Sequence, residues 1–129
     1  MAGDERRLAL ACAIAHRPAL LLLDEPLAGL YRFTGQRIWQ ALDEYARAAG
    51  ATTVVATHDL MAALIWAEQV VIMAGGRALG VAAPADLLAE PELLPAAGLT
   101  LPELPALVRE LTLRGWPLRV ANPLRPVEV

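Results

Sequence analysis

The chain contains no lysine; all 11 of its basic residues are arginine. A phosphate-cradling loop of the form Gly-x-x-x-x-Gly-Lys-Ser/Thr needs that lysine to reach the β- and γ-phosphates, so these 129 residues hold no such loop. Cysteine is down to one, Cys12, which excludes an internal disulfide and suits a reducing compartment. Aromatic residues are 5% of a composition that is 57% hydrophobic, so Ala, Leu and Val must carry the packing. No apolar run approaches the ~20 residues that span a bilayer, and the opening "MAGDERR" is not signal-like. With a net charge of −3, the chain has no basic footprint for nucleic acid or anionic lipid. What is left is one cytosolic domain's worth of chain. Its apolar share is above the usual value for a soluble domain. Either the core is large, or part of the apolar surface faces something outside these residues.

The patterning alternates between helix and strand. Residues 4 to 16 read as a helix with Leu8, Cys12 and Ala15 on one face, Cys12 being a packed small hydrophobe and His16 a helix-end residue. Pro18 disfavours helical geometry at Arg17. "ALLLLD" is a continuous apolar run of strand length, as in a parallel strand covered on both faces. Pro26, Gly29 and Gly35 punctuate the loop that follows, and a helix is expected over about 36 to 49, with Ile38, Leu42, Tyr45 and Ala49 on one stripe and Gly50 as its stop. "ATTVVAT" is a β-branched strand, Asp59 an N-cap for a helix through Ala67, and "QVVIMA" a third buried strand. Gly75 and Gly76 make a turn into "RALGVAA" as a hairpin partner, and "PADLLAE" is a short helix begun by Pro84. Prolines 91, 95, 102 and 105 then divide the chain around one helix, about 103 to 114, ended by Gly115, and "WPLRVANPLRPVEV" reads as extended. Trp39 and Trp66 read as core residues, and Arg109 and Arg114 as solvated helix charges. "PELLP" and "LPELP" read as subunit-facing or surface packing.

Strand, helix, strand, helix, strand is the order of an α/β protein with a doubly wound parallel sheet, in which ligands sit at the carboxyl ends of the strands. Asp24 and Glu25 end the first strand, and His58 follows the second. Neighbouring acids on a strand point to different sides and can do different work. One can hold Mg²⁺, largely through water; the other can deprotonate an attacking water, with a histidine steadying charge on a transferring phosphoryl group. A lone "DE" is an ordinary turn or cap, and a lone His an ordinary loop residue. Four leucines before the acids, proline after them and "THD" after the next strand favour the catalytic reading.

Those residues carry a family resemblance. "RRLALACAIAHRPALLLLDEPLAGL" followed by "TTVVATHDL" resembles the nucleotide-binding subunits of ABC transporters, and the likeness runs on through "VVIMAGGRALGVAAPADLLAEPELL". The tail "AAGLTLPELPALVRELTLRGWPL" is similar to the energy-coupling factor ATPases of the cobalt and vitamin type. The resemblance implies a partial P-loop NTPase fold, a three-layer parallel sheet with a C-terminal hairpin and helical tail. Residues 1–90 would be the second half of the ATPase domain, and 91–129 a proline-rich tail. It implies ATP and Mg²⁺ as cofactors, with Asp24 on the metal, Glu25 as general base and His58 on the γ-phosphate. Further nucleotide contacts fall on Ala2, Gly3 and Asp4 of a signature remnant, on Gly29 and Leu30 of "AGL", and on Asp59. Its partners would be a second ATPase subunit, identical or not, and a transmembrane coupling subunit, placing the chain on the cytoplasmic face of the membrane. Cobalt, nickel and vitamins are all open as cargo.

Several positions depart from the family pattern. Aligning "RRLALA" sets Met1 at the signature Ser, Ala2 and Gly3 at its glycines, and Asp4 at its Gln or Glu; Tyr31 stands where Asp is usual and reads as a surface aromatic. Asp4 and Glu5 oppose an anion at that helix N-terminus. With no phosphate loop, the chain alone is expected neither to hold ATP tightly nor to hydrolyse it. In the family's sheet the strand bearing that loop lies between the equivalents of "TTVVA" and "QVVIM", and without it these two are expected to pair directly, since buried unpaired backbone is costly. Two other functions compete: a non-catalytic module or relic docking on a transporter, and the head of a chromosome-organising or DNA-repair ATPase. The short connection after His58, the tail and the acidic pI oppose the last.

Overall fold

The computed structural model describes residues 2–30 and 32–116. It is a mixed α/β structure that divides into two compact units, Met1–His58 and Asp59–Val129. The expectations for Tyr31 and for the chain beyond Trp116 lie outside the described residues.

In the first unit, α1 (Ala2–Ala15) leads to β1 (Leu20–Asp24), α2 (Arg32–Ala49) and β2 (Thr52–Ala56). β1 and β2 pair in parallel from Leu20↔Thr52 to Asp24↔Ala56, as the strand–helix–strand order requires. Leu10, Leu21 and Leu42 meet in a core flanked by Ala13, Ile14, Leu23, Ile38 and Trp39. Tyr45 donates its hydroxyl to the Pro18 carbonyl at 2.8 Å, tying α2 to the turn before β1.

The structure corrects four expectations here. The packed face of α1 runs through Leu10, Ala13 and Ile14, while Leu8 and Cys12 are exposed. "LALACAIA" is apolar all round, so its periodicity names no face. α2 starts at Arg32, four residues before the expected 36, because Gly35 lies inside the helix. A Cβ there would lie 3.6 Å from the Leu27 methyl, an ordinary contact, so the helix passes through this position without a break. β1 is covered on one face only: Leu21 is 5% exposed, but Leu22 is 68% exposed, and Leu20 and Val54 beside it are also open. Finally, β2 is hydrogen-bonded only to β1 among the described residues, and the expected pairing with "QVVIM" is not formed. Thr52, Val54 and Ala56 are exposed and Thr53 and Val55 only half-buried, so β2 is not the fully buried strand for which that expectation was argued.

The second unit runs α3 (Leu60–Trp66), β3 (Val70–Ala74), β4 (Arg77–Ala82), α4 (Pro84–Ala89), α5 (Leu93–Ala96) and α6 (Glu103–Leu113). β3 and β4 form the expected hairpin, closed by Gly75 and Gly76 at φ 55 and 73, with a bulge between Ile72 and Met73. Its core gathers Leu64, Val70, Ile72, Leu87 and Leu94. β3 is likewise half-covered, since Val71 and Met73 are exposed. Arg109 donates from its Nε to the Ala89 carbonyl at 3.2 Å. Arg114 pairs with Glu110 at 2.7 Å one turn back. Among the described residues no helix is long and apolar enough to cross a membrane.

Candidate active site

The parallel pairing of β1 with β2 sets their carboxyl ends side by side, Asp24 opposite Ala56. The ladder then runs one bond further, the Glu25 N–H donating to the Ala56 carbonyl at 2.9 Å. At Glu25 the backbone turns left-handed, with φ 43, which a residue bearing a side chain rarely adopts. That turn sends its carboxylate across to the segment leaving β2. Oε1 accepts from the His58 backbone N–H at 2.8 Å and lies 2.7 Å from the His58 Nδ1. Oε2 accepts from the Thr57 hydroxyl at 3.2 Å.

The hydrogen bond from the His58 imidazole holds the Glu25 carboxyl below its ordinary value of 4.5. Partial burial pushes the other way, and the His58 backbone bond, its charge and Thr57 add to the lowering. The His58 side chain is 80% exposed, so an incoming anion can reach the imidazole without opening the fold.

Asp24 and His58 therefore flank Glu25 at one strand end, as the sequence suggested. Asp24 is exposed, and among the described residues no three potential ligands cluster for a metal. A single open carboxylate suits Mg²⁺, which keeps several waters and takes phosphate oxygens rather than an all-protein cage. The turn after Glu25 is closed by Ala28 N–H to the Glu25 carbonyl and Leu30 N–H to the Leu27 carbonyl. Gly29 has φ 77, and a Cβ built on it would lie 3.6 Å from Arg6 Nη1, which puts a guanidinium beside "AGL".

Other candidates have local structural work. Asp4 pairs with Arg7 at 3.6 Å, and Arg7 also donates to the Thr34 hydroxyl at 3.3 Å. Ala2 and Gly3 open α1, and their side chains, like Met1, lie outside the described residues. Asp59 caps α3, accepting from the Ala62 N–H at 3.0 Å. Sequence reasoning passed over Thr57. The available signal was a hydroxyl residue directly before the histidine, at the end of the strand that pairs with the one carrying the acids.

No family model matches the chain. The energy-coupling factor transporter ATP-binding protein EcfA2 of Listeria welshimeri is 36% identical over 101 residues, covering 78% of this chain and 35% of that protein. The solved structure of cbiO1 from Clostridium perfringens, described as part of the ABC transporter complex cbiONQ, is similar at 32% identity and a TM-score of 0.62, over 82% of this chain and 42% of that one. The chain belongs to the family of ABC transporter ATP-binding proteins. A further relative, the Fe(3+) ions import ATP-binding protein FbpC of Mesorhizobium japonicum, is 41% identical over 90 residues, 70% of this chain and 25% of that protein. The chain thus spans between a quarter and about two-fifths of the length of these relatives.

Proposed function

We propose that these residues are the hydrolytic part of the ATP-binding subunit of an ABC importer of the energy-coupling factor type, coupling ATP hydrolysis to uptake of a metal ion or vitamin. The observation that carries this reading is the convergence of Asp24, Glu25, Thr57 and His58 on the carboxyl ends of two paired parallel strands. In this reading Asp24 is the protein ligand of Mg²⁺, which when bound neutralises charge on the phosphates. Glu25 takes a proton from the attacking water, and His58 contacts the γ-phosphate as charge moves away from it. Gly29, Leu30 and Asp59, with Ala2, Gly3 and Asp4 at the start of α1, complete the nucleotide surroundings.

The lysine-bearing phosphate cradle comes from a segment outside these residues, as does the central strand that makes the three-layer parallel sheet whole. Residues 1–90 then form the second half of that ATPase domain, and 91–129 its tail. A second ATPase subunit and a transmembrane coupling subunit are the partners, on the cytoplasmic face of the membrane. A non-catalytic docking module is the second reading; Ala2 in place of a signature glycine and the Asp4–Arg7 pair favour it.

Calorimetry with Mg·ATP tests the division of labour. The 129 residues alone are expected to show no micromolar affinity. The protein that also contains the cradle is expected to bind ATP and turn it over, and Glu25→Gln is expected to keep binding while losing turnover. Micromolar binding by the isolated chain overturns the account.

A further inference from the structure

Glu25 combines a left-handed backbone with three hydrogen bonds on its carboxylate, all from Thr57 and His58. Such a backbone persists only where its surroundings hold it. An ionised carboxylate offers about four lone-pair sites, two on each oxygen. His58 occupies both sites of Oε1, through its backbone N–H and its imidazole. Thr57 occupies one site of Oε2. Among the described residues, one site, on Oε2, accepts no hydrogen bond. His58 alone would leave the carboxylate plane able to pivot about Oε1, because the terminal torsion of a glutamate is broad and roughly two-fold. The Thr57 hydroxyl is the second anchor that fixes the plane.

We propose that Thr57 is a positioning residue for Glu25, aiming the remaining lone pair of Oε2 at the attacking water. The inference rests on Glu25 being the base. In the step, a water O–H bond breaks and its proton goes to Oε2. The water oxygen forms a bond to the γ-phosphorus, and the bond from that phosphorus to the bridging oxygen breaks, its electron pair leaving with ADP. Thr57 touches none of the reacting atoms; it acts through Glu25.

Two measurements test this. Crystal structures of the 129-residue chain should show the Glu25 carboxylate plane in one orientation in the parent and in Thr57→Ser, and rotated or in more than one orientation in Thr57→Val. Valine is nearly isosteric and favoured at a strand end, and Thr57→Ala is the second hydroxyl-free variant should valine disturb the fold. A fixed Glu25 in both hydroxyl-free variants overturns the proposal, whatever the function of the site. In the complete ATP-binding protein, Thr57→Val should lower kcat by about tenfold, the effect of one hydrogen bond to a charged group. KM should be unchanged to within about twofold, the mark of an interaction used in the chemical step. Thr57→Ser should restore turnover. An unchanged kcat in Thr57→Val, alongside a dead Glu25→Gln, overturns the positioning role alone. Full turnover by Glu25→Gln overturns the catalytic reading on which it rests.

Discussion

Glu25 is the residue where local preference and site geometry conflict. Its left-handed backbone opposes the sterics of any side chain, and its carboxylate gains two donors from His58 and one from Thr57. Because those bonds favour the ionised form, the folded chain holds Glu25 below its ordinary value of 4.5. A lowered carboxyl contributes stability that is complete above the unfolded value and is lost as pH falls through the folded one. Glu25→Gln removes that titration. The stability difference between parent and variant is therefore expected to shrink steadily as pH falls below about 5.5. Urea denaturation at a series of pH values between 7 and 3 reads this directly. A difference that stays flat to pH 3 would mean that the clamp on Glu25 does not form in solution. The acids and the histidine were legible in the sequence because residue type and strand position announce them. The clamp was not, because a backbone turn at Glu25 and a hydroxyl at Thr57 leave no mark in hydrophobic pattern.

At the scale of elements, the strands were legible within a residue, since "LLLLD", "TTVVA" and "VVIMA" are unbroken apolar or β-branched runs. Their coverage was not legible. A run with four leucines says that both faces tolerate apolar contact, not that both are covered. Glycine misled in a similar way. Gly35 looked like punctuation and lies inside α2. Gly80 in β4 is a glycine that packing does require: a Cβ there would lie 2.8 Å from the Leu93 Cδ1 of α5, closer than carbon atoms approach. The obstruction is the tip of a leucine side chain rather than backbone, so relief needs only a side-chain shift. Gly80→Ala is expected to cost about 1 kcal/mol by overpacking. In a Leu93→Ala background the same change should cost less than about 0.5 kcal/mol, because the atom it strikes is gone. Chemical denaturation of the four variants of this cycle measures the coupling. Equal costs in both backgrounds would locate the strain elsewhere.

For the whole molecule, the decisive quantity is apolar surface left in water. A chain that is 57% hydrophobic exposes Leu20, Leu22 and Val54 on one sheet and Val71, Met73 and Val81 on the other. The sequence already posed the choice between a large core and a surface facing something else, and these exposed side chains are where the second would apply. The neighbouring leucines of β1 make the test sharp. Leu21 is 5% exposed and packs with Leu10 and Leu42, whereas Leu22 is 68% exposed. Leu21→Ala is therefore expected to cost 2–5 kcal/mol, roughly, by deleting buried atoms and leaving a cavity. Leu22→Gln should change stability by less than about 0.5 kcal/mol, since its side chain is hydrated in the folded chain as in the unfolded one. Association should respond in the opposite order. Contiguous apolar patches drive soluble proteins together, so the 129 residues alone are expected to self-associate, more strongly in sulfate, which promotes burial of apolar surface. Leu22→Gln combined with Val54→Gln should weaken that association with the fold intact, as read by sedimentation velocity beside urea denaturation. A Leu22→Gln variant destabilised as much as Leu21→Ala would show that something within the folded chain covers this face. One physical support for the proposal that the phosphate cradle lies beyond these 129 residues would then disappear.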